Sequence, residues 1–359
     1  MSKAKRISII IVLFLLIGAY FIIPLVDNFE PKNKDEVTDE ILAHFNFSDD
    51  ISLKFGASKK LSYEVVGKNI SKIELIISDQ SVQTWNNPTG KINFEFDSKD
   101  YPLGAHELKI NIYKNNQLIS EDSRLIRVLS DVTPSRLSAK VISLIPHNPL
   151  NFTQGLEFYN NILLESTGQY GESKVMKLDL KSGNSLKSKD VDVSCFGEGI
   201  TVFNNKIYEV TWKEQKCFIY DVNTLSLEKT IGYVGEGWGL CNDGENLIMS
   251  DGSERIYFRD PTTFEIKRTI EVYDNIGPKI NLNELEYIDG KIFANVWQEN
   301  YILVIDPTIG KIEKIIDCSE VIGQARGNGE VLNGIALNKQ TKQLYLTGKN
   351  WSKIVWFVY

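Results

Sequence analysis

Short runs of alternating apolar and polar residues dominate the chain from residue 50 onward, and this alternation predicts β-strands. Turn sequences such as "NNPTG" and "YPLGAH" separate the runs. One stretch is different, because residues 7–26, "ISIIIVLFLLIGAYFIIPLV", carry no charge and are long enough to cross a bilayer as a helix. The pattern therefore predicts an all-β protein with one N-terminal transmembrane helix.

The strand pattern repeats five times in the second part of the chain. The repeats contain "QGLEF", "EGITV", "WGLCN", "NELEY" and "NGIAL", and the second residue of each stretch recurs at intervals of 44, 40, 45 and 50 residues. The markers are Gly155, Gly199, Gly239, Glu284 and Gly334. Each repeat continues with a second and third strand and usually a fourth, so residues 137–359 are predicted to form a five-bladed β-propeller.

The last repeat ends after its third strand, "SKIVWFVY", which would leave one blade with an exposed edge. The sequence "AKVISLIP", at residues 139–146, precedes the first repeat and can supply the missing fourth strand. We therefore expect strands from both ends of this region to close the ring.

The N-terminal part divides into three segments. Positive residues precede the apolar run and acidic residues follow it, so residues 1–26 are predicted to be a signal anchor with the rest outside the cytoplasm, in the periplasm or the extracellular space. A cleaved signal peptide is the alternative. Residues 27–49 are charged and are predicted to be a stalk, and residues 50–130 have the strand spacing of a small Ig-like β-sandwich.

Charge and composition exclude some functions. The formal net charge is −7 and the interior lacks a Lys/Arg-rich stripe, which argues against nucleic-acid binding. The three histidines (His44, His106 and His147) lie far apart, and the four cysteines lack metal-ligand spacing, so no metal or other cofactor is expected. The sequence leaves open whether the cysteines form disulfides or stay as buried thiols.

The propeller geometry predicts where chemistry would occur. The first strand of each blade lines the channel and the second runs back, so the start of one and the end of the other meet at a single rim. The ten rim positions are Gln154, Gly168, Glu198, Trp212, Trp238, Gly252, Asn283, Trp297, Asn333 and Lys349. One carboxylate enclosed by indole rings is expected to have a raised pKa and to exchange protons near neutral pH.

Each rim residue also has a structural interpretation. Glu198 and Lys349 could form an ion pair, the tryptophans could wedge blades together, and the asparagines could cap backbone groups. For Glu284 and Glu286 a solvated or backbone-bonded role is expected rather than a functional one, and for Asp251 a role in a turn.

Several segments resemble the plant-type glutaminyl cyclases, or glutaminyl-peptide cyclotransferases. They are "PHNPLNFTQGLEF", "ESTGQYGES", "FGEGIT", "EGWGL", "SDGS", "LNELEYIDGKIFANVWQ", "VLNGIA" and "TGKNW", which span residues 140–359. The resemblance implies conversion of an N-terminal glutamine to pyroglutamate with release of ammonia. It implies Glu198 as the central acid, with Lys349 and Asn283 as further catalytic residues. It implies pocket roles for Phe152, Gln154, Phe196, Trp212, Trp238 and Trp297, to which the rim adds Asn333.

The sequence departs from the family pattern at three places. Asn148 replaces an aspartate, residues 173–176 read "SKVM" where Ser-Ser-apolar-Arg is usual, and Ser352 replaces a proline. None of these changes the proposed proton-transfer group. The expected partners are peptides or proteins with N-terminal glutamine, and the membrane through the N-terminal helix, with the protein acting as a monomer.

Two other functions fit the same rim less well. A non-catalytic propeller could bind a peptide or sugar through the aromatic residues. A metal-dependent hydrolase or lactonase would need several acids around an axial ion, whereas the rim offers only Glu198.

Overall fold

The computed structural model describes residues 42–47 and 51–359, and over these residues the protein is all-β. The predicted membrane-spanning segment at residues 7–26 lies outside the described residues. Over the described part of the chain, no helix combines the length and the apolar character needed to cross a membrane.

Two sheets pack across one core in the first part of the chain. Their strands are β1 (Ala43–Phe45), β2 (Ile51–Lys54), β3 (Ser58–Val65), β4 (Lys72–Ile77), β5 (Gln80–Asn86), β6 (Gly90–Asp97), β7 (Gly104–Lys114) and β8 (Gln117–Leu129). One sheet has the order β1-β3-β6 and the other the order β2-β8-β7-β4-β5. Alternate residues of β4 and β7 are buried, as the alternating sequence predicted.

Five further sheets follow, and each contains four antiparallel strands. In the first four sheets, these strands are neighbours in chain order. In the fifth, the outermost strand comes from before the repeats. The first sheet consists of β11 (Thr153–Tyr159), β12 (Ile162–Thr167), β13 (Lys174–Leu178) and β14 (Ser185–Asp190). The second consists of β15 (Gly197–Phe203), β16 (Lys206–Thr211), β17 (Lys216–Asp221) and β18 (Leu227–Gly232). The third consists of β19 (Leu240–Asn242), β20 (Leu247–Ser250), β21 (Arg255–Arg259) and β22 (Ile266–Glu271).

The last two sheets use strands from before the repeats. The fourth sheet consists of β23 (Leu282–Ile288), β24 (Lys291–Val296), β25 (Tyr301–Ile305) and β26 (Ile312–Asp317), with β9 (Ser135–Ser138) added in parallel. The fifth consists of β27 (Leu332–Asn338), β28 (Gln343–Gly348), β29 (Lys353–Val358) and β10 (Lys140–Pro146). Pairing of β10 with β29 matches the expected closing strand. The pattern did not predict β9, which begins between the expected sandwich at residues 50–130 and the expected propeller at residues 137–359.

The fourth repeat, from Glu284 to the next marker Gly334, is longer than the others, and it contains a helix. Helix α1 (Ser319–Ala325) lies between β26 and β27 and buries Val321, Ile322 and Ala325. These residues pack into the core shared by the fourth and fifth sheets. The 50-residue interval between these two markers therefore reflects an inserted helix and not a longer strand.

The first strands of the five sheets contact one another in a closed circuit, with β27 returning to β11. Their close approach explains the glycine markers. A Cβ atom at Gly239 would lie 2.0 Å from the carbonyl oxygen of Asn283, and one at Gly199 would lie 2.4 Å from the Leu240 nitrogen. Where the fourth repeat has Glu284 instead, the carboxylate crosses the centre and accepts hydrogen bonds from the Leu156 and Ile335 backbone nitrogens. The backbone-bonded role expected for Glu284 is confirmed.

The two parts of the molecule are in contact. Lys311 forms an ion pair with Asp131, and the Ser130 nitrogen donates a hydrogen bond to the Asp274 carbonyl at 3.1 Å. Tyr273, which follows β22, is buried in the core of the N-terminal sheets. All four cysteines are free and buried, so the thiol interpretation holds in this structure.

Candidate active site

The backbone breaks its regular pairing where the rim residues lie. In four of the five sheets, the register between the first and second strands shifts at a bulge that contains the rim residue. The residues at these bulges are Gln154, Glu198, Asn283 and Asn333. A bulge places one extra residue in the strand and changes the direction of its side chain. Periodicity alone does not reveal this feature.

Glu198 is held by a chain of buried amides. Gln154 Nε2 donates to Glu198 Oε1 at 3.0 Å, and Asn333 Nδ2 donates to Gln154 Oε1 at 3.1 Å. Asn333 Nδ2 also donates to the Thr153 carbonyl at 3.0 Å, which fixes the amide. Because Asn333 orients Gln154, the Gln154 amide presents its donor side to the carboxylate. The structure brings these three predicted residues together.

Burial raises the pKa of Glu198 well above its usual value, because the ionised carboxylate loses hydration. The nearby carboxylates of Glu236, Glu214 and Glu209 raise it further, whereas the positive charge of Lys349 acts in the opposite direction. The raised pKa that the sequence predicts for Glu198 is therefore found in the structure.

Lys349 lies close to Glu198 without forming an ion pair. No contact within 4.0 Å joins the two charged groups among the described residues, and Lys349 Nζ lies 4.7 Å from the centroid of the Phe152 ring. Burial lowers the pKa of Lys349, while Glu198 and Glu330 raise it. The structural ion pair considered from the sequence is thus absent, and the ammonium group is left available to another acceptor.

Aromatic rings form two walls. On one side, the Phe196 ring lies 6.2 Å from Phe152, 5.6 Å from Trp212 and 5.5 Å from Tyr170, each in an edge-to-face arrangement. On the other side, Trp238 and Trp297 meet edge to face at 6.0 Å. Edge-to-face contacts constrain the relative orientation of the two rings and stabilise them beyond the effect of buried area alone.

The two glycines of the rim make room for these rings. A Cβ atom at Gly168 would lie 2.3 Å from the Phe196 ring, and one at Gly252 would lie 2.6 Å from the Trp238 ring. Gly252 also has a φ of +82°, which disfavours other residues. The absence of side chains here lets the aromatic walls lie directly on the strand ends.

Sequence reasoning missed Glu236, which connects the two walls. Its Oε2 accepts a hydrogen bond from Trp212 Nε1 at 2.7 Å and another from Trp238 Nε1 at 3.0 Å. Its position two residues before Trp238 was the available signal, because alternate residues of an extended segment share a side. Glu236 thus fixes the orientation of two predicted pocket residues.

Glu214 has a similar supporting position on the Phe196 wall. It accepts hydrogen bonds from the Tyr170 hydroxyl at 2.9 Å and from the Phe196 nitrogen at 3.1 Å. Behind Glu198, the buried Glu209 accepts from the Tyr220 hydroxyl, and burial raises the pKa of Glu209 to about 8. The sequence placed none of these acids at the site.

Two amide oxygens at the site have no partner. Asn283 Oδ1 and Asn333 Oδ1 are buried without a hydrogen bond, and both residues are at most 2 % exposed. An unsatisfied buried acceptor is costly unless a ligand supplies a donor. Of the two caps considered from the sequence, Asn333 does bond to the backbone, whereas Asn283 makes no such contact.

The rim holds hydrogen-bond donors and acceptors rather than metal ligands. Within residues 42–47 and 51–359, no three His, Cys, Asp or Glu side chains are grouped so as to hold a metal ion. A buried carboxylate with a raised pKa, a nearby ammonium group and free amide atoms are suited to proton transfer and to stabilising negative charge on oxygen.

Comparison with known proteins agrees with this geometry. A family model described as glutamine cyclotransferase matches residues 116–357. The chain belongs to the glutamine cyclotransferase family. The family match begins at residue 116, just before β8 and well before the repeats, so it does not test the predicted start of the propeller at residue 137.

Two relatives of the family are informative. The chain is 38 % identical over 221 residues to an Arabidopsis thaliana glutaminyl-peptide cyclotransferase, covering 60 % of this chain and 69 % of the relative. A crystal structure of Myxococcus xanthus glutaminyl cyclase matches with a TM-score of 0.59 and 33 % identity, covering 63 % of this chain and 98 % of that one.

Proposed function

We propose that this family member converts the N-terminal glutamine of peptides and proteins to pyroglutamate, releasing ammonia, with Glu198 as its general acid and base. Family membership and the two relatives support the glutaminyl-peptide cyclotransferase activity. The observation that carries the mechanism is the buried Glu198 carboxylate, which accepts a hydrogen bond from Gln154 at the rim.

In the first step, the α-amino nitrogen of the substrate attacks the carbonyl carbon of its own side-chain amide. A nitrogen–carbon bond forms and the carbonyl electrons move onto oxygen. Glu198 accepts the proton that the attacking nitrogen loses, for which the raised pKa of its carboxylate is suited. The unpartnered oxygens of Asn283 and Asn333 can accept hydrogen bonds from the amine or the amide nitrogen.

The negative oxygen requires donors. Lys349 Nζ forms no hydrogen bond within the described residues and is only slightly exposed, so it can donate to this oxygen together with the amide of Asn283. In the second step, the carbonyl re-forms, the bond to the amide nitrogen breaks, and Glu198 delivers its proton to the departing ammonia. Protons and electrons therefore balance without a protein nucleophile.

The aromatic residues hold the substrate in a ring-closing conformation. Five rings pack against one another in two groups at or near the rim and can contact a short side chain: Phe152, Phe196 and Trp212 in one group, and Trp238 and Trp297 in the other. Restricting a flexible glutamine side chain removes part of the entropic barrier to cyclisation.

We further propose that the five sheets of residues 140–358 are the blades of one five-bladed propeller, preceded by an Ig-like sandwich. The closed circuit of first strands and the two packed N-terminal sheets support this. A location outside the cytoplasm, anchored by residues 7–26, is proposed from the sequence alone.

The activity is tested by incubating the protein with a peptide that begins with glutamine, with and without a chelator. We expect the peptide to lose the mass of one ammonia in both conditions. An unchanged peptide mass would contradict the activity and favour a binding role, whereas loss of product only with chelator would contradict the metal-independent mechanism.

Lys349→Met is expected to move the acid side of the pH–rate profile to higher pH. The positive charge of Lys349 lowers the pKa of Glu198, so its removal raises that pKa and delays formation of the basic carboxylate as pH increases. The measurement is kcat/KM against pH. An acid side that stays in place would show that Lys349 does not act on Glu198 electrostatically.

Glu236→Gln is expected to move the same acid side in the opposite direction. Glutamine keeps an acceptor for both indole nitrogens but removes a charge that raises the pKa of Glu198. Glu236→Leu removes the acceptor as well, and we expect it to raise KM about tenfold because two indole groups lose a charged partner. If the two variants behave alike, Glu236 does not position the tryptophans.

A further inference from the structure

A groove of about 540 Å³ meets the rim at Gly168. One side is the loop before β11, including Asn148, Leu150 and Asn151, and the other is the face of the first sheet. From β14, Ser188 and Asp190 line its outer part. This volume lies in the range of sites that hold small ligands or short peptide segments.

The groove and the candidate active site share one element of wall. Gly168 lies directly against the Phe196 ring, and its nitrogen donates a hydrogen bond to the Phe152 carbonyl at 2.8 Å. The equivalent positions in the second, fourth and fifth sheets carry Trp212, Trp297 and Lys349. At Gly168, as at Gly252 in the third sheet, an aromatic ring packs where a side chain would stand, so the Phe196 ring is the boundary between the groove and the candidate active site.

The groove presents both apolar and charged groups. Leu150 borders the groove and is 83 % exposed, so its apolar surface is available for contact. Lys174 is paired with Asp190 at 3.4 Å, whereas Glu172 takes part in none of the ion pairs found among the described residues. The groove therefore carries one uncompensated negative charge.

Only the first residue of a peptide substrate reacts, so the rest of the bound peptide must extend out of the pocket past the rim. We infer that the groove binds the residues that follow the N-terminal glutamine, as an extended chain, and that Glu172 favours basic over acidic side chains among them. This inference rests on the proposed activity. It deepens that proposal by assigning a site to the part of the substrate that does not react.

Filling the groove tests this inference. Ser188→Trp places a large side chain in the groove, far from Glu198, on a strand that is exposed throughout. We expect kcat/KM for the peptide Gln-Ala-Ala-Ala-Ala to fall about tenfold, with less than a twofold change for glutamine amide, which does not reach the groove.

A matched control lies next to it on the same strand. Lys189 points to the opposite face of β14 and lines a different groove, towards the second sheet. Lys189→Trp should leave both substrates unaffected. If Ser188→Trp does not change the ratio of the two substrates, the groove does not bind the peptide. A wild-type protein inactive on both the peptide and glutamine amide would instead refute the proposed activity.

A second variant tests the charge preference. Glu172→Lys should invert the preference between the peptides Gln-Ala-Lys-Ala and Gln-Ala-Glu-Ala, while kcat/KM for glutamine amide stays within twofold of wild type. Glu172→Gln should only remove the preference. Equal rates on the two peptides in wild type, or a preference that survives Glu172→Lys, would overturn this part of the inference.

Discussion

Glu198→Gln is expected to lower kcat for cyclisation by about 10²–10⁴-fold, the range typical of a lost general acid–base group. Glutamine has nearly the same shape, and it keeps an oxygen for the hydrogen bond that Gln154 Nε2 donates. The loss therefore reports on proton transfer and not on a rearranged pocket. It is measured by ammonia release at saturating substrate.

The same variant should fold at least as well as the wild type. The pKa of Glu198 is raised in the folded protein, so above its unfolded value near 4.5 the ionised carboxylate opposes folding, and glutamine removes that cost. We expect an unchanged or higher midpoint of thermal unfolding at pH 7. Near-normal kcat with an intact fold would contradict the role of Glu198.

Glu165→Ala is expected to lower the free energy of unfolding by about 3–5 kcal/mol. This is the usual cost of removing one partner of a buried ion pair, because the other partner is left buried and unpaired. Glu165 is fully buried and accepts hydrogen bonds from His147 at 3.0 Å, Asn151 at 2.7 Å and Thr153 at 2.6 Å. His147 Nδ1 also contacts the Trp351 carbonyl, so both ring nitrogens face acceptors. These two acceptors favour the charged imidazolium, because the neutral ring can donate from only one nitrogen.

The pH dependence of this effect has a definite sign. Burial acts to lower the pKa of His147, but the charge and hydrogen bond of Glu165 outweigh it, and the pKa is raised above 6.5. The stabilisation is complete below pH 6.5 and is lost as pH rises through the higher folded-state value. The difference between wild type and Glu165→Ala should therefore narrow at alkaline pH, as measured by urea unfolding.

Glu228→Ala provides the comparison. Glu228 pairs with Lys206 on the surface of the second sheet, where both side chains are exposed, and such pairs contribute about 0–1 kcal/mol. If Glu165→Ala and Glu228→Ala destabilise the protein equally, the buried network does not hold the fold. The buried network around Glu165 lies next to the candidate active site, because its members Asn151 and Thr153 flank Phe152, a predicted pocket residue.

The repeats made much of the fold predictable. Small residues at the markers, the alternation of apolar and polar residues and the incomplete last repeat together predicted the order of the strands and the pairing of β10 with β29. Helix α1 and strand β9 were not predicted, because both depend on contacts with sheets distant in sequence. The assigned roles of the rim residues and the domain bounds remain predictions.

The sequence predicted those site residues whose positions follow from the register of the strands. Register brought Gln154, Glu198 and Asn333 to one place, where they form one hydrogen-bonded chain. The supporting acids were missed because Glu236 and Glu214 lie in loops, whose conformation has no period that a sequence displays. Their partners are indole, hydroxyl and backbone groups that only the folded chain brings near.

The pairing of β10 with β29 has a consequence for biosynthesis. His147, just after β10, and Trp351, just before β29, are 204 positions apart yet share a hydrogen bond. During translation, β10 emerges long before its partner and presents an open edge to other nascent chains. We expect the ring to close only after β29 has been synthesised, so that a cotranslational chaperone would find β10 exposed throughout synthesis of the intervening strands.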